Sequence, residues 1–179
     1  MTPRIAPGRL KELGPINWVV WKALSRAAGT SDAHLFSTLG RTGRLFRGWL
    51  HYSGMLMPFG RLGRFQSEMV ILRVAHLREC GYEADHHTRL GRRAGITDEI
   101  HTRIVHGPAH DDWSPRHRAL LTAVDELVAT RNLSDDTWTE LSQHFDERRL
   151  IEVCLLVTQY DGLATTIGTL RLDRDFETP

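Results

Sequence analysis

Cysteine is nearly absent: Cys80 and Cys154 are the two in 179 residues, so no disulfide framework holds this chain together. Lysine is equally scarce, at positions 11 and 22, and arginine supplies the rest of the 23 basic side chains. An excess of one charge is missing too. The basic residues face 22 acidic ones, a formal net charge of +1, which excludes a strongly basic polyanion-binding chain. Arg41, Arg44 and Arg47 form a local cluster of the kind solvated helix faces carry. The most apolar run, Leu150 to Val157, is interrupted by Glu152 and is far too short to span a bilayer. The opening MTPRIAPGRL lacks the apolar centre of a secretion signal. These absences predict a cytoplasmic protein with reduced thiols and with no nucleic-acid or membrane partner.

What is present is helical. A hydrophobic content of 41% and a length near that of one domain allow a sizeable core. Pro15 suits a first helical position, and Ile16, Val19, Val20 and Leu24 follow at helical spacing up to Gly29. A second helical region runs over 32–55, broken near Gly40 and Gly43, and 57–64, with one proline and two glycines, reads as a loop. Ser67 is expected to cap the next helix, with Glu68 in its first turn. Gly81 marks a break before a segment over 82–94. Thr97, Ser114-Pro115, Ser134 and Asp146 start four further helices, the last reaching about Leu170. Strand-like alternation between hairpin turns is not seen. The predicted fold class is all-α, with a loosely attached N-terminal extension over 1–30 and a helical domain over 31–179.

One constellation carries chemistry. Cys80 and His87 are seven apart, nearly the same helix face, and Glu83 and His87 are four apart, within touching distance. A helix continuous through Gly81 adds His76 to that stripe. Glu68 lies twelve residues before Cys80 and reaches it only across a bend between helices. A thiol attacks as thiolate, so it needs a base or a positive neighbour; a histidine supplies either, and a carboxylate orients the ring. A second carboxyl with a raised pKa relays a proton. Cys154, among valine and leucine, reads as a core thiol, and Glu152 in the same run reads as structural. The histidines near Glu83 invite a zinc reading, but His-Glu-x2-His is missing and an i, i+4 pair lacks a third ligand, so no metal and no cofactor is expected.

The order Glu68, eleven residues, Cys80, two residues, Glu83, three residues, His87 resembles the site motif of the alkylhydroperoxidase D branch of the carboxymuconolactone decarboxylase superfamily. That branch carries a second cysteine where this chain has Glu83. The surrounding EMVILRVAHLRECGYEADHHTRLGRRAGIT is similar as well, and Glu83-x3-His87 resembles the decarboxylase branch. The resemblance runs over most of the chain from about Leu35. It implies a helical bundle, a homo-oligomer and a small-molecule substrate. In the peroxidase form it implies Cys80 as attacking thiol, His87 as its base, Glu83 as the partner of His87 and Glu68 as proton relay. Because Glu83 cannot form a disulfide, the oxidised thiol then waits for an external thiol reductant. His51 and Tyr52 correspond to a pocket-lining position in related proteins. The decarboxylase form has Glu83 and His87 moving protons on a carboxylated lactone, with Arg73 or Arg89 holding its carboxylate. A third reading is a catalytically idle helical oligomer that binds a ligand.

Overall fold

In the computed structural model, which describes residues 2–176, nine α-helices and one short 3-10 turn account for the regular structure, with no strand among the described residues. Helix α1 spans Leu10–Ala28, with a break at Gly14 (φ 68°) from which Pro15 restarts the helix. Next come α2 (His34–Leu39), the 3-10 turn Gly40–Thr42 and α3 (Arg44–Leu56). The N-terminal helix is not loosely attached. Buried Asn17 donates to Gly40 O (2.8 Å) and Gly43 O (3.1 Å), accepts from Arg47, and Leu13 and Trp21 are buried beside it.

The centre of the molecule is α4 (Arg64–Leu77), which packs against α5 (Gly81–Arg93), α6 (Asp98–His106), α7 (Pro115–Thr130) and α9 (Glu147–Leu170). Ser67 to Ala75 are all buried, so α4 is covered on every side rather than amphipathic. Its start lies earlier than the serine signal suggests. Gly63 is the cap, and Ser67 sits inside the helix, packed in the interior. Helix α8 (Asp135–Ser142) closes the base. Thr97, Ser114, Ser134 and Asp146 each accept from the backbone N–H three residues on, so four expected helix starts are real caps.

Between α4 and α5 the chain turns sharply. Glu79 adopts φ 51°, its N–H donates to His76 O, and the Cys80 N–H reaches back to Ala75 O at 2.8 Å. That pair of bonds is a Schellman ending with glutamate in the left-handed position glycine usually takes. The stripe through a continuous helix is therefore broken. His76 is exposed on α4, while Cys80 becomes the cap of α5.

By length and composition α9, at 24 residues, is apolar enough to cross a membrane. Its buried side, including Leu150, Val153, Leu156 and Val157, packs on α4 and α7 as a core helix does. Glu152 on this helix accepts from the backbone N–H groups of Arg61 (2.7 Å) and Leu62 (2.9 Å), and so ties down the loop that follows α3. The segment after α9 folds back over α5. Buried Asp175 accepts from the Tyr82 hydroxyl (2.5 Å) and the His34 backbone N–H (3.0 Å), and pairs with the His86 and His34 rings at 2.9 and 2.6 Å.

Candidate active site

The hairpin of α4 and α5 brings Glu68 to His87. The Glu68 side chain is wholly buried, and its Oε2 lies 2.7 Å from His87 Nδ1. A carboxylate only accepts, so the proton of this bond sits on Nδ1 and leaves Nε2 with a free lone pair. Arg64, one turn before Glu68, lies 2.9 Å from its other oxygen as an ion pair off the hydrogen-bond axis. His87 also meets the edge of Tyr160 from α9, ring centres 5.1 Å apart. The histidine is thus held in one tautomer and one orientation, as a base requires.

Glu83 was expected to be the partner of His87; the structure gives that place to Glu68. An i, i+4 spacing allows contact on α5, but the packing of α4 against α5 offers His87 a nearer carboxylate. Glu83 is 3% exposed and neither of its oxygens has a protein hydrogen-bond partner. Burial pushes its carboxyl up to about 8, with Asp161 adding to the effect, so it holds a proton at neutral pH. The Cys80 thiol lies beside it, in a contact too poorly aligned to satisfy either oxygen. Burial first, and then the Glu83 carboxyl, push the thiol up to about 12. Cys80 is a covered, protonated thiol.

His87 and Glu83 form part of the wall of a cavity of about 510 Å³. Most of the remaining lining is apolar, with Phe36, Trp49, Met57, Phe59, Tyr160 and Leu163 prominent. Neither Cys80 nor Glu68 reaches the surface of the cavity; they stand behind Glu83 and His87. The α3 residues that line it are Trp49, Leu50, Ser53 and Gly54, which places His51 and Tyr52 on the outward face. Tyr52 instead borders a separate shallow groove with Met55, Phe59 and Ile151. Arg73, expected to bind substrate, is committed elsewhere. Its Nε and Nη2 hold Asp125 at 2.6 and 2.8 Å, its Nη1 donates to Ile104 O and Val105 O, and it lies outside the cavity. Arg64 and Tyr160 were not foreseen. Arg64 had a signal, its i, i+4 spacing to Glu68; Tyr160, 92 positions from Glu68, had none. Among the described residues no group of His, Cys, Asp or Glu has the arrangement of a metal site.

The site is thus an all-α enclosure built round a buried Glu–His pair, with a second carboxyl and a thiol alongside. The family model of the carboxymuconolactone decarboxylase family matches residues 43–126, from α3 into α7. A peroxidase-related protein from Ralstonia eutropha JMP134, described as an alkylhydroperoxidase AhpD core, superposes with a TM-score of 0.82 at 18% identity, over 96% of this chain and 92% of that one. The debrominase Bmp8 superposes at 0.78 with 14% identity, over 95% and 91%. YdfG, an uncharacterised protein of Bacillus subtilis, is 23% identical over 103 residues, 56% of this chain and 70% of that protein. The carboxymuconolactone decarboxylase family model thus covers somewhat under half of the chain, and nearly the whole chain shares the fold of the alkylhydroperoxidase D-like structure.

Proposed function

We propose that this chain is an enzyme of proton transfer acting on a small organic molecule, with Glu83 as general acid and His87 as general base. The observation that carries the reading is the contrast between two groups on one cavity wall. His87 is oriented by Glu68 and keeps Nε2 free, while Glu83 is a buried, unpartnered carboxyl that carries its proton at pH 7. His87 takes a proton from a carbon or oxygen of the substrate, and Glu83 delivers one to the atom where negative charge develops. Glu68 steadies the imidazolium formed, and Arg64 holds the Glu68 carboxylate in place. The test is deuterium uptake by a panel of enolisable cyclic ketones and lactones in D2O, followed by NMR. Uptake catalysed by the native chain and lost in both Glu83→Gln and His87→Gln is the expected result; uptake that persists in both variants overturns it.

The second reading is thiol-linked peroxide reduction, favoured by Cys80 at the N-terminal cap of α5, where helix amides favour thiolate, and by its contact with Glu83. Here the thiolate sulfur attacks the outer oxygen of a hydroperoxide, the O–O bond breaks, Glu83 protonates the departing alkoxide, and an external thiol reduces the sulfenic acid. Relatives described as peroxidase-related support it. The burial of Cys80 and its raised pKa weigh against it. Hydroperoxide consumption with dithiothreitol that vanishes in Cys80→Ser, without any deuterium uptake, selects this reading over the first. A cytoplasmic homo-oligomer remains part of the proposal under either chemistry.

A further inference from the structure

Helix α5 gives the cavity two chemically different sets of side chains. Buried Glu83 and His87 form one. Arg89 and Arg93, one turn apart, both exposed and both part of the lining, form the other. Among the described residues neither arginine makes an ion pair, unlike Arg64, Arg73, Arg78 and Arg174. Arg89 is nonetheless held in place: its guanidinium stacks on Phe176 with 3.6 Å to the ring centre, and Phe176 packs on His86. Most of the remaining lining is apolar, and Glu83 is the one acidic residue in it.

From this charge pattern we infer that the substrate is an amphipathic carboxylate, with its apolar body in the cavity, its carboxylate at Arg89 and Arg93, and its reacting end against Glu83 and His87. An uncharged molecule leaves the two guanidinium groups without an acceptor other than solvent, and a compact polar acid leaves the Trp49, Phe36 and Met57 surfaces without contact. Two arginines at i, i+4 fork onto one carboxylate. A protonated Glu83 puts no opposing charge inside the cavity, so an anion meets no repulsion there. This inference names the substrate class of the site proposed above and rests on that site being the reacting one.

Equilibrium binding separates it from the chemistry. Octanoate and octanol share an eight-carbon chain and differ in the head group, and calorimetric titration of each reads the anion's contribution directly. The native chain is expected to bind octanoate about tenfold more tightly than octanol. Arg89→Gln combined with Arg93→Gln is expected to bring the two to parity by weakening octanoate alone. Gly54 lines the cavity and has open space where a Cβ would be, so Gly54→Leu narrows the cavity without strain and is expected to weaken binding of both probes. Equal affinity for both probes in the native chain, no measurable binding of either, equal weakening of both in the double variant, or octanoate binding that Gly54→Leu leaves undiminished each overturns the inference. None of these outcomes touches the deuterium result, so failure of the substrate class and failure of the proton-transfer reading remain distinguishable.

Discussion

Glu83 shows how a single buried carboxyl couples stability to pH. Its proton is held more tightly in the folded chain than in the unfolded one, with the carboxyl pushed up to about 8 from the ordinary 4.5 of a glutamate. Between those values the native state binds more protons, so stability falls as pH rises through the window and levels off above it. Glu83→Gln removes that slope. Denaturant melts at pH 6 and pH 9 should show a native chain that loses about 1–3 kcal/mol and a variant that loses little of it; equal losses defeat the account. The two thiols give a second measurement. Cys80 is buried beside a carboxyl, whereas Cys154 on α9 is half-exposed with a thiol raised by burial alone. Iodoacetamide at pH 8, read by mass spectrometry, should label Cys154 before Cys80, opposite to the order that helix-face polarity implies. The spacing from Glu68 to His87 was legible in the sequence, because all four side chains do gather at one hairpin. Their pairing was not. Which carboxylate reaches His87 depends on how α4 packs on α5, and no i, i+4 rule contains that.

Two turns carry more strain or crowding than their residues suggest. At the end of α4, Glu79 occupies the left-handed region, where a side chain crowds its own carbonyl and glycine does not. Glu79→Gly should stabilise the chain by about 1 kcal/mol, a rise of roughly 2–4 °C in Tm for this size; an unchanged or lower Tm contradicts it. After α3, a Cβ on Gly60 would lie 2.3 Å from both Glu152 Oε1 and Leu56 O. Gly60→Ala must displace the Glu152 carboxylate from the Arg61 and Leu62 amides, costing on the order of 2 kcal/mol in a denaturant melt. The same shift moves Phe59 and weakens octanoate binding. Helix starts with a cap or proline were legible to within a residue, since Ser114-Pro115 and Asp146 act through their own backbone neighbours. The start of α4 was not, because Gly63 offers no side chain to read and the serine inside the helix mimics a cap. Pocket-lining positions on α3 were out by a helix face for a similar reason: His51 and Tyr52 are polar enough to look functional, while Trp49 and Ser53 face inward.

At the scale of the molecule, five exposed apolar side chains gather at one place. Tyr52, Met55 and Phe59 lie beside Ile151 and Leu155 around one groove. If a homo-oligomer forms as proposed, this face is its natural contact, and light scattering of the native chain should give a multiple of the monomer mass that drops in Met55→Glu combined with Leu155→Glu. An unaltered mass in the variant places the contact elsewhere. The Asp175 clasp is the other whole-chain feature, because it joins residues from α2, α5 and the segment after α9. Its partners are separated from it by 141 and 93 positions for His34 and Tyr82. At synthesis rates of about 5–20 residues per second, Asp175 is made roughly 5–20 s after Tyr82. For that interval the wall formed by Tyr82 and His86 has no carboxylate to hold it. The order of the residues therefore makes this clasp one of the last contacts the growing chain can close.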